Sequence, residues 1–165
     1  VHSVGVQGDS RSYRPVLVIE GSDWMALFET ATERINRLTG INRVIALVGA
    51  AVGLDRMSVL PSALSRERLA RLRRADAVVR RLSHESGFDR RVWQFPVVLI
   101  PLGLTGRPDS VVLRPVDSVD GMTAQSVPMD SALLKAITAE LLEIEGVCGV
   151  FYDLTHKPPA TIEWE

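Results

Sequence analysis

A single cysteine, Cys148, occurs in 165 residues. That count excludes a disulfide framework and a cysteine-built metal site, and it makes a reducing, cytoplasmic location the default expectation. Long apolar runs are missing as well. Val44–Val52 and Phe95–Leu102 are the longest, and both fall short of the roughly 20 residues that cross a bilayer. No positively charged leader precedes an apolar stretch at the N-terminus. Charge of one sign is not in surplus: 19 basic residues against 20 acidic ones leave a net −1, which argues against a general nucleic-acid binder. His2, His84 and His156 are far apart and share no helix, so no metal site is expected from them. Position 1 is Val rather than Met, which suggests a piece of something longer.

What is present is ordinary for a folded domain: 46% hydrophobic and 24% charged residues, enough to bury a core in one domain or two small ones. Val1–Gln7 alternates apolar with small or polar residues, as a half-buried strand does. Gly8–Tyr13 reads as a turn and Val16–Ile19 as the returning strand. Trp24, Leu27, Phe28, Ala31, Ile35 and Leu38 lie three and four apart and predict a helix over Trp24–Leu38, capped by Ser22 or Asp23 and stopped by Gly40. Asn42–Val48 is the next strand, and Gly49–Ser62 a loop. Ser65 caps a helix running to about Ser83, whose arginines are expected on a solvated face opposite Leu69, Leu72, Ala75, Val79 and Leu82.

From Val92 the opening pattern returns. Strands are predicted at Pro96–Leu104 and Ser110–Val116, then a loop over Asp117–Pro128, a helix over Ser131–Ile144 capped by Asp130 or Ser131, a stop at Gly146 and a last strand at Val147–Leu154. Gly146 lies 106 positions after Gly40, and the same offset pairs Ile41 with Val147, Val44 with Val150 and Ile45 with Phe151. This reads as a diverged internal duplication. The fold expected is α+β: two tandem β-β-α-β units, residues 1–50 and 92–165, related by a pseudo-twofold axis and joined by a linker and arginine-rich helix at 51–91.

No complete catalytic constellation is visible. The glycine-containing stretches lack the lysine and hydroxyl of a phosphate-gripping loop, and Cys148 falls in a buried strand, where a thiol is inert. A set of binding groups remains. Arg11, on the predicted turn, offers a planar fork for phosphate or an acidic heterocycle. Gln94 carries both donor and acceptor, the inventory that reads a base or ribose edge. Lys157 supplies a point charge and Glu163 an acceptor on the terminal segment, where Pro158 and Pro159 exclude a helix or central strand and predict a stiff, extended, ordered arm.

The tail Tyr152-Asp153-Leu154-Thr155-His156-Lys157-Pro158-Pro159-Ala160-Thr161-Ile162-Glu163-Trp164-Glu165 closely resembles the C-terminus of the glutamine-hydrolysing GMP synthases. The segments Arg114–Ala124, Leu69–Trp93 and Ser3–Tyr13, the last with its Gly8-Asp9-Ser10-Arg11 motif, are similar to that family too. The resemblance implies the longer, eukaryote-type arrangement with two dimerisation-type units in one polypeptide. It implies that the region binds xanthosine 5′-monophosphate (XMP) and supports oligomerisation, with a homodimer among its partners. Arg11, Gln94, Lys157 and Glu163 are the XMP contacts it points to, with no catalytic residue and no metal ligand in this chain. An ATP-pyrophosphatase domain, using ATP and Mg, and a glutamine amidotransferase domain are the expected partners. Neither is in this sequence, so the chain alone is expected to be an inactive part of a ligase that touches neither nucleic acid nor membrane. Two departures stand out. Gly149 sits where the family usually has an arginine, for which Arg43 or Arg114 are the candidate replacements. The turn Leu104–Asp109 has lost the Gly-Asp-x-Arg form, which implies one ligand site per chain. The alternative reading is a purely structural oligomerisation module.

Overall fold

The computed structural model describes residues 1–7 and 10–164. In chain order it contains β1 (His2–Gln7), β2 (Ser10–Ile19), α1 (Trp24–Arg37), β3 (Arg43–Ala50), β4 (Ser58–Val59), α2 (Arg66–Ser86), β5 (Val97–Ile100), β6 (Leu102–Gly103), β7 (Asp109–Leu113), β8 (Val116–Asp117), β9 (Gln125–Ser126), α3 (Ser131–Leu142) and β10 (Val147–Asp153). The two long-range strand–helix–strand connections have the same form: β2 lies parallel to β3 around α1, and β7 parallel to β10 around α3. Both helices start on an aspartate that accepts two backbone N–H groups. Asp23 takes those of Met25 (3.0 Å) and Ala26 (3.2 Å), and Asp130 those of Ala132 (2.8 Å) and Leu133 (3.4 Å).

Six strands make one sheet in the order β1-β2-β3-β10-β7-β5. At its centre β3 and β10 run antiparallel, with Ile45 opposite Asp153, Ala46 opposite Tyr152 and Leu47 opposite Phe151. The offset of 106 that links Gly40 to Gly146 exchanges the outer two of these pairs and returns the middle pair to itself. The α+β fold is therefore compatible with a twofold-related duplication whose axis passes between Ala46 and Tyr152. Strand alternation divides the core. On one face Val44, Ala46, Val111, Leu113, Val150 and Tyr152 meet the apolar stripes of all three helices, such as Ala31, Val79 and Ile137. Ile45, Ile100, Val112 and Phe151 point to the other face, where Leu54, Met57 and Trp164 pack and Val16, Val18 and Leu47 stay half-buried.

Several expectations change. Arg11 is not on a turn: Ser10–Tyr13 already belong to β2, paired through Gln7–Ser10, Val6–Arg11, Gly5–Ser12 and Val4–Tyr13, while Gly8 and Asp9 of the expected turn lie outside the described residues. Helix α1 ends at Arg37 with Leu38 extended, so Gly40 plays no left-handed stop, whereas Gly146 does take a positive φ of 85°. The predicted loop Asp117–Pro128 carries the small β8–β9 ladder. The arginines of α2 are not all solvated. Arg71 and Arg68 turn inward to the buried Asp109 at the start of β7 (Arg71 Nη1 2.5 Å, Arg68 Nε 3.0 Å), and Arg71 Nε donates to the Glu145 carbonyl at 2.8 Å. A buried carboxylate needs such partners, and helical periodicity sees only the charge.

The terminal segment is ordered, as expected, but it turns rather than extends. The Lys157–Pro158 and Pro158–Pro159 peptides are cis, and bridges form between Ala124 and Lys157 and between Gly5 and Ala160. It crosses back over β1, where the Val6 N–H donates to the Pro159 carbonyl (2.7 Å) and the Val4 N–H to that of Trp164 (3.1 Å). The fully buried face of β1 is accordingly the one carrying Ser3 and Gly5 rather than the valines. A Cβ on Gly5 would stand 2.6 Å from the Asn42 Cβ and 2.8 Å from the Pro159 carbonyl oxygen. Gly5→Val is therefore expected to lower stability by about 2–3 kcal/mol through overpacking, read as a lower urea midpoint with an unchanged slope.

Candidate functional site

The ends of three neighbouring strands converge beneath the terminal arm. Asp153 closes β10, Arg43 opens β3 and Arg114 follows β7, and all three side chains are fully buried. Asp153 Oδ2 accepts from Arg43 Nη1 and from Arg114 Nη1 (2.9 Å), and its Oδ1 accepts the Thr155 N–H (3.0 Å). Burial alone raises the pKa of Asp153, but the two guanidiniums and the Thr155 amide outweigh it and hold the carboxyl below the usual range. Burial brings Arg114 down to about 10, against the pull of Asp153 and together with the push of Arg43, so it stays cationic at neutral pH.

Two buried cations thus share one carboxylate, and backbone carbonyls with the Thr161 hydroxyl take up most of their remaining donors, Arg43 Nε being left without a partner among the described residues. Arg114 reaches Thr155 O (3.0 Å), Thr161 O (2.6 Å) and Ile162 O (2.7 Å). Arg43 Nη2 reaches Thr161 Oγ1 (3.1 Å), Thr161 O (3.3 Å), Glu163 O (3.4 Å) and Val4 O (3.5 Å). Its guanidinium also lies over the Trp164 ring, 4.8 Å from the centroid. The course of the arm is set from below by these donors and from the side by β1. Asn42 braces β1 in turn, donating to Ser3 O at 2.8 Å and accepting from Ser3 Oγ at 2.7 Å.

The four expected ligand contacts are placed around this arm. Arg11 is exposed on β2 opposite Val6, the residue bonded to Pro159. Lys157 is half-buried and its ammonium donates to the Gly121 carbonyl (2.6 Å) in the loop between β8 and β9. Gln94 is exposed and exchanges backbone bonds with Val116, at the base of the same loop (3.1 and 2.9 Å). Lys157 and Gln94 thus share that loop. Glu163 is exposed at the far end of the arm, beside a groove of about 550 Å³ that Arg68, Leu72, Val98 and Trp164 also line, and to which the other three do not contribute.

His156 precedes Lys157, and its Nδ1 accepts the Ser126 N–H at 3.0 Å, which requires that nitrogen to be unprotonated. Burial, then Arg114, lowers the pKa of His156, with Asp153 opposing. Cys148 is buried and its thiol pKa is raised by that burial. The expected set omitted Asp153 and assigned no place to Arg43 or Arg114. The available signal was an Asp ending a strand, Val147–Asp153, in which every residue is buried, because such a carboxylate needs a cation.

Fold and site together define an α+β module whose last residues are locked across its first strand by two buried arginines. The chain belongs to the GMP synthase C terminal domain family, which it matches over residues 81–164. It is 38% identical, over its whole length, to a probable glutamine-hydrolyzing GMP synthase of Leptospira interrogans, of which it covers 28%. It is also 38% identical over 84% of its length to the GMP synthase of Leifsonia xyli (29% of that protein), and 44% identical over 62% of its length to that of Nitratidesulfovibrio vulgaris (21% of that protein). The chain therefore spans less than a third of the length of these relatives, and the relative aligned with all of it is bacterial.

Asp153→Asn leaves two guanidiniums facing a neutral amide and is expected to cost about 3–5 kcal/mol, measurable by urea unfolding. The folded pKa of His156 lies below its ordinary 6.5, so the unfolded chain takes up the proton first. Its contribution to stability is complete above pH 6.5 and is lost as pH falls through the folded pKa. The stability difference between the wild type and His156→Gln should therefore narrow between about pH 7.5 and about pH 5.5 in paired denaturation curves.

Proposed function

We propose that this chain is the C-terminal module of a glutamine-hydrolysing GMP synthase, and that it holds XMP while a separate domain activates it with ATP and Mg and ammonia from glutamine converts it to GMP. The observation that carries this reading is the arm bearing Lys157 and Glu163, ordered across the strand that pairs with Arg11, in a chain of this family. Lys157 and Arg11 serve the phosphate, and Gln94 and Glu163 read the base or ribose. The ammonium of Lys157 rests on a neutral carbonyl, so its charge is uncompensated there and available to an anion. Within the module, residues 1–50 and 92–165 act as the two dimerisation-type units and 51–91 as their connection, in a cytoplasmic enzyme.

Isothermal calorimetry with the isolated chain should show XMP binding at one site, with no GMP formed from ATP and glutamine or ammonia. A flat titration at millimolar XMP overturns the autonomous site. Lys157→Ala should weaken XMP by about tenfold or more, the scale of a lost charge-assisted hydrogen bond, and xanthosine by under about twofold. Equal losses remove Lys157 from the phosphate.

A second reading, self-association without autonomous nucleotide binding, draws on the half-buried apolar residues Val16, Val18, Leu47 and Leu102 on the helix-free face of the sheet. Light scattering separates the two, since only this reading requires dimers from a chain that fails to bind XMP.

A further inference from the structure

We propose that Arg43 is the positioning residue for Glu163: the N-terminal half supplies the guanidinium that aims the ligand-facing end of the C-terminal arm. The role assigned to Glu163 rests on the XMP reading above, whereas the claim that Arg43 sets the arm does not. Among the described residues the hydrogen bonds of the Arg43 side chain and its cation–π contact run to Asp153, the arm or β1. Two of them bracket Glu163: its own carbonyl, at 3.4 Å from Nη2, and the ring of the next residue, Trp164, at 4.8 Å. With carbonyl and following ring both fixed, the backbone that carries the Glu163 carboxylate has one course to follow.

The register of the central strands explains why this arginine comes from the other half. The 106-position offset turns Arg43 into Gly149, Leu47 into Asp153 and Met57 into Glu163. In the antiparallel pair Ile45 stands opposite Asp153 and Phe151 opposite Leu47. Arg43 lies beside Asp153, while a register shift between Val150 and Phe151 sets its counterpart Gly149 opposite Ala50. In the Arg43–Asp153 pair the arginine and the carboxylate come from opposite halves, whereas Arg114 reaches Asp153 from within the same half. At one end of the axis Arg43 meets Asp153, and at the other their sequence counterparts are Gly149 and Leu47. Both charges are missing together at that second end, which avoids the cost of leaving one buried and unpaired. Leu54 and Met57 pack there instead, and a Cβ on Gly149 would stand 3.2 Å from the Met57 Cε. Gly149 thus removes nothing from the arm over Asp153, which retains the arginine it needs from across the axis.

The test uses Arg43→Met, which leaves Asp153 paired with Arg114, and Arg43→Lys, which keeps a charge without the fork. Hydrogen exchange of the ligand-free chain is read first. In Arg43→Met the amides of Ile162, Glu163 and Trp164 should exchange at least about tenfold faster, while those of α3 and β10 keep their wild-type rates, and Arg43→Lys should restore less than half of the protection. Should Arg43→Met fail to fold, Thr161→Val removes one acceptor of Arg43 without disturbing a buried charge and should raise exchange at the same amides. Unchanged exchange in the arm, or an equal rise throughout the chain, overturns the proposal. XMP calorimetry on Arg43→Met, Glu163→Gln and the double variant is read second. Arg43→Met should weaken XMP about tenfold, and adding Glu163→Gln should weaken it no further, because the carboxylate is already misplaced. Independent, multiplying losses overturn the link to Glu163. A wild-type chain that binds no XMP defeats the reading of Glu163 as a ligand contact, and the exchange result then decides the arm by itself.

Discussion

Two guanidiniums facing one carboxylate, all out of water, is an arrangement that the rest of this molecule has to accommodate. A single Asp153 cannot neutralise both Arg43 and Arg114. The excess is met by carbonyl dipoles, and the carbonyls within reach belong to Thr155, Thr161, Ile162, Glu163 and Val4. The last residues of the chain are laid down over the first strand because that is where the buried cations require oxygen. Gly5 occupies the inward face of β1 beneath this arm, since a Cβ there would collide with Asn42 and with the Pro159 carbonyl, and Ser3 on the same face is bonded to Asn42.

A second ionic cluster does comparable work at the opposite end of the sheet. Asp109 begins β7 with its carboxylate buried, and Arg68 and Arg71 of α2 reach in to meet it, with Arg71 also holding the Glu145 carbonyl near the end of α3. The long helix α2 is thereby fastened to β7 and to the end of α3 through polar contacts, in addition to the apolar packing of Ala75 and Val79. Buried arginine in this protein serves to fix backbone, in two places and by the same means.

Much of the fold was legible from residue pattern. The spacing of Leu27, Ala31 and Ile35, the capping aspartates and the turn at Gly146 all correspond to what the chain does, because each rests on local backbone physics or on simple periodicity, and the 106-position offset is compatible with the register of β3 and β10. Position within a pair was less legible. Ser10–Tyr13 has turn-forming composition, yet the ladder to β1 keeps it extended and puts Arg11 on a strand. The arginines of α2 look solvated on a helical wheel, since nothing local announces that Asp109 is buried 38 residues away. The terminal prolines announced order but not direction. The residues holding the arm were harder still: Arg43 and Arg114 were visible as unassigned charges, and only contacts between sequence-distant strands reveal that Asp153 joins them.

The closure of β1 by the arm also constrains the order in which the molecule is built. Thr161 hydrogen-bonds to Val4 across a separation of 157 residues. During synthesis the first strand must wait for the segment from Pro159 to Trp164 before its Val4 and Val6 amides and Gly5 are covered. Contacts of such long range close late and slow the final step of folding. The edge of β1 that bonds the arm is consequently left open until Pro159, Thr161 and Trp164 have been made.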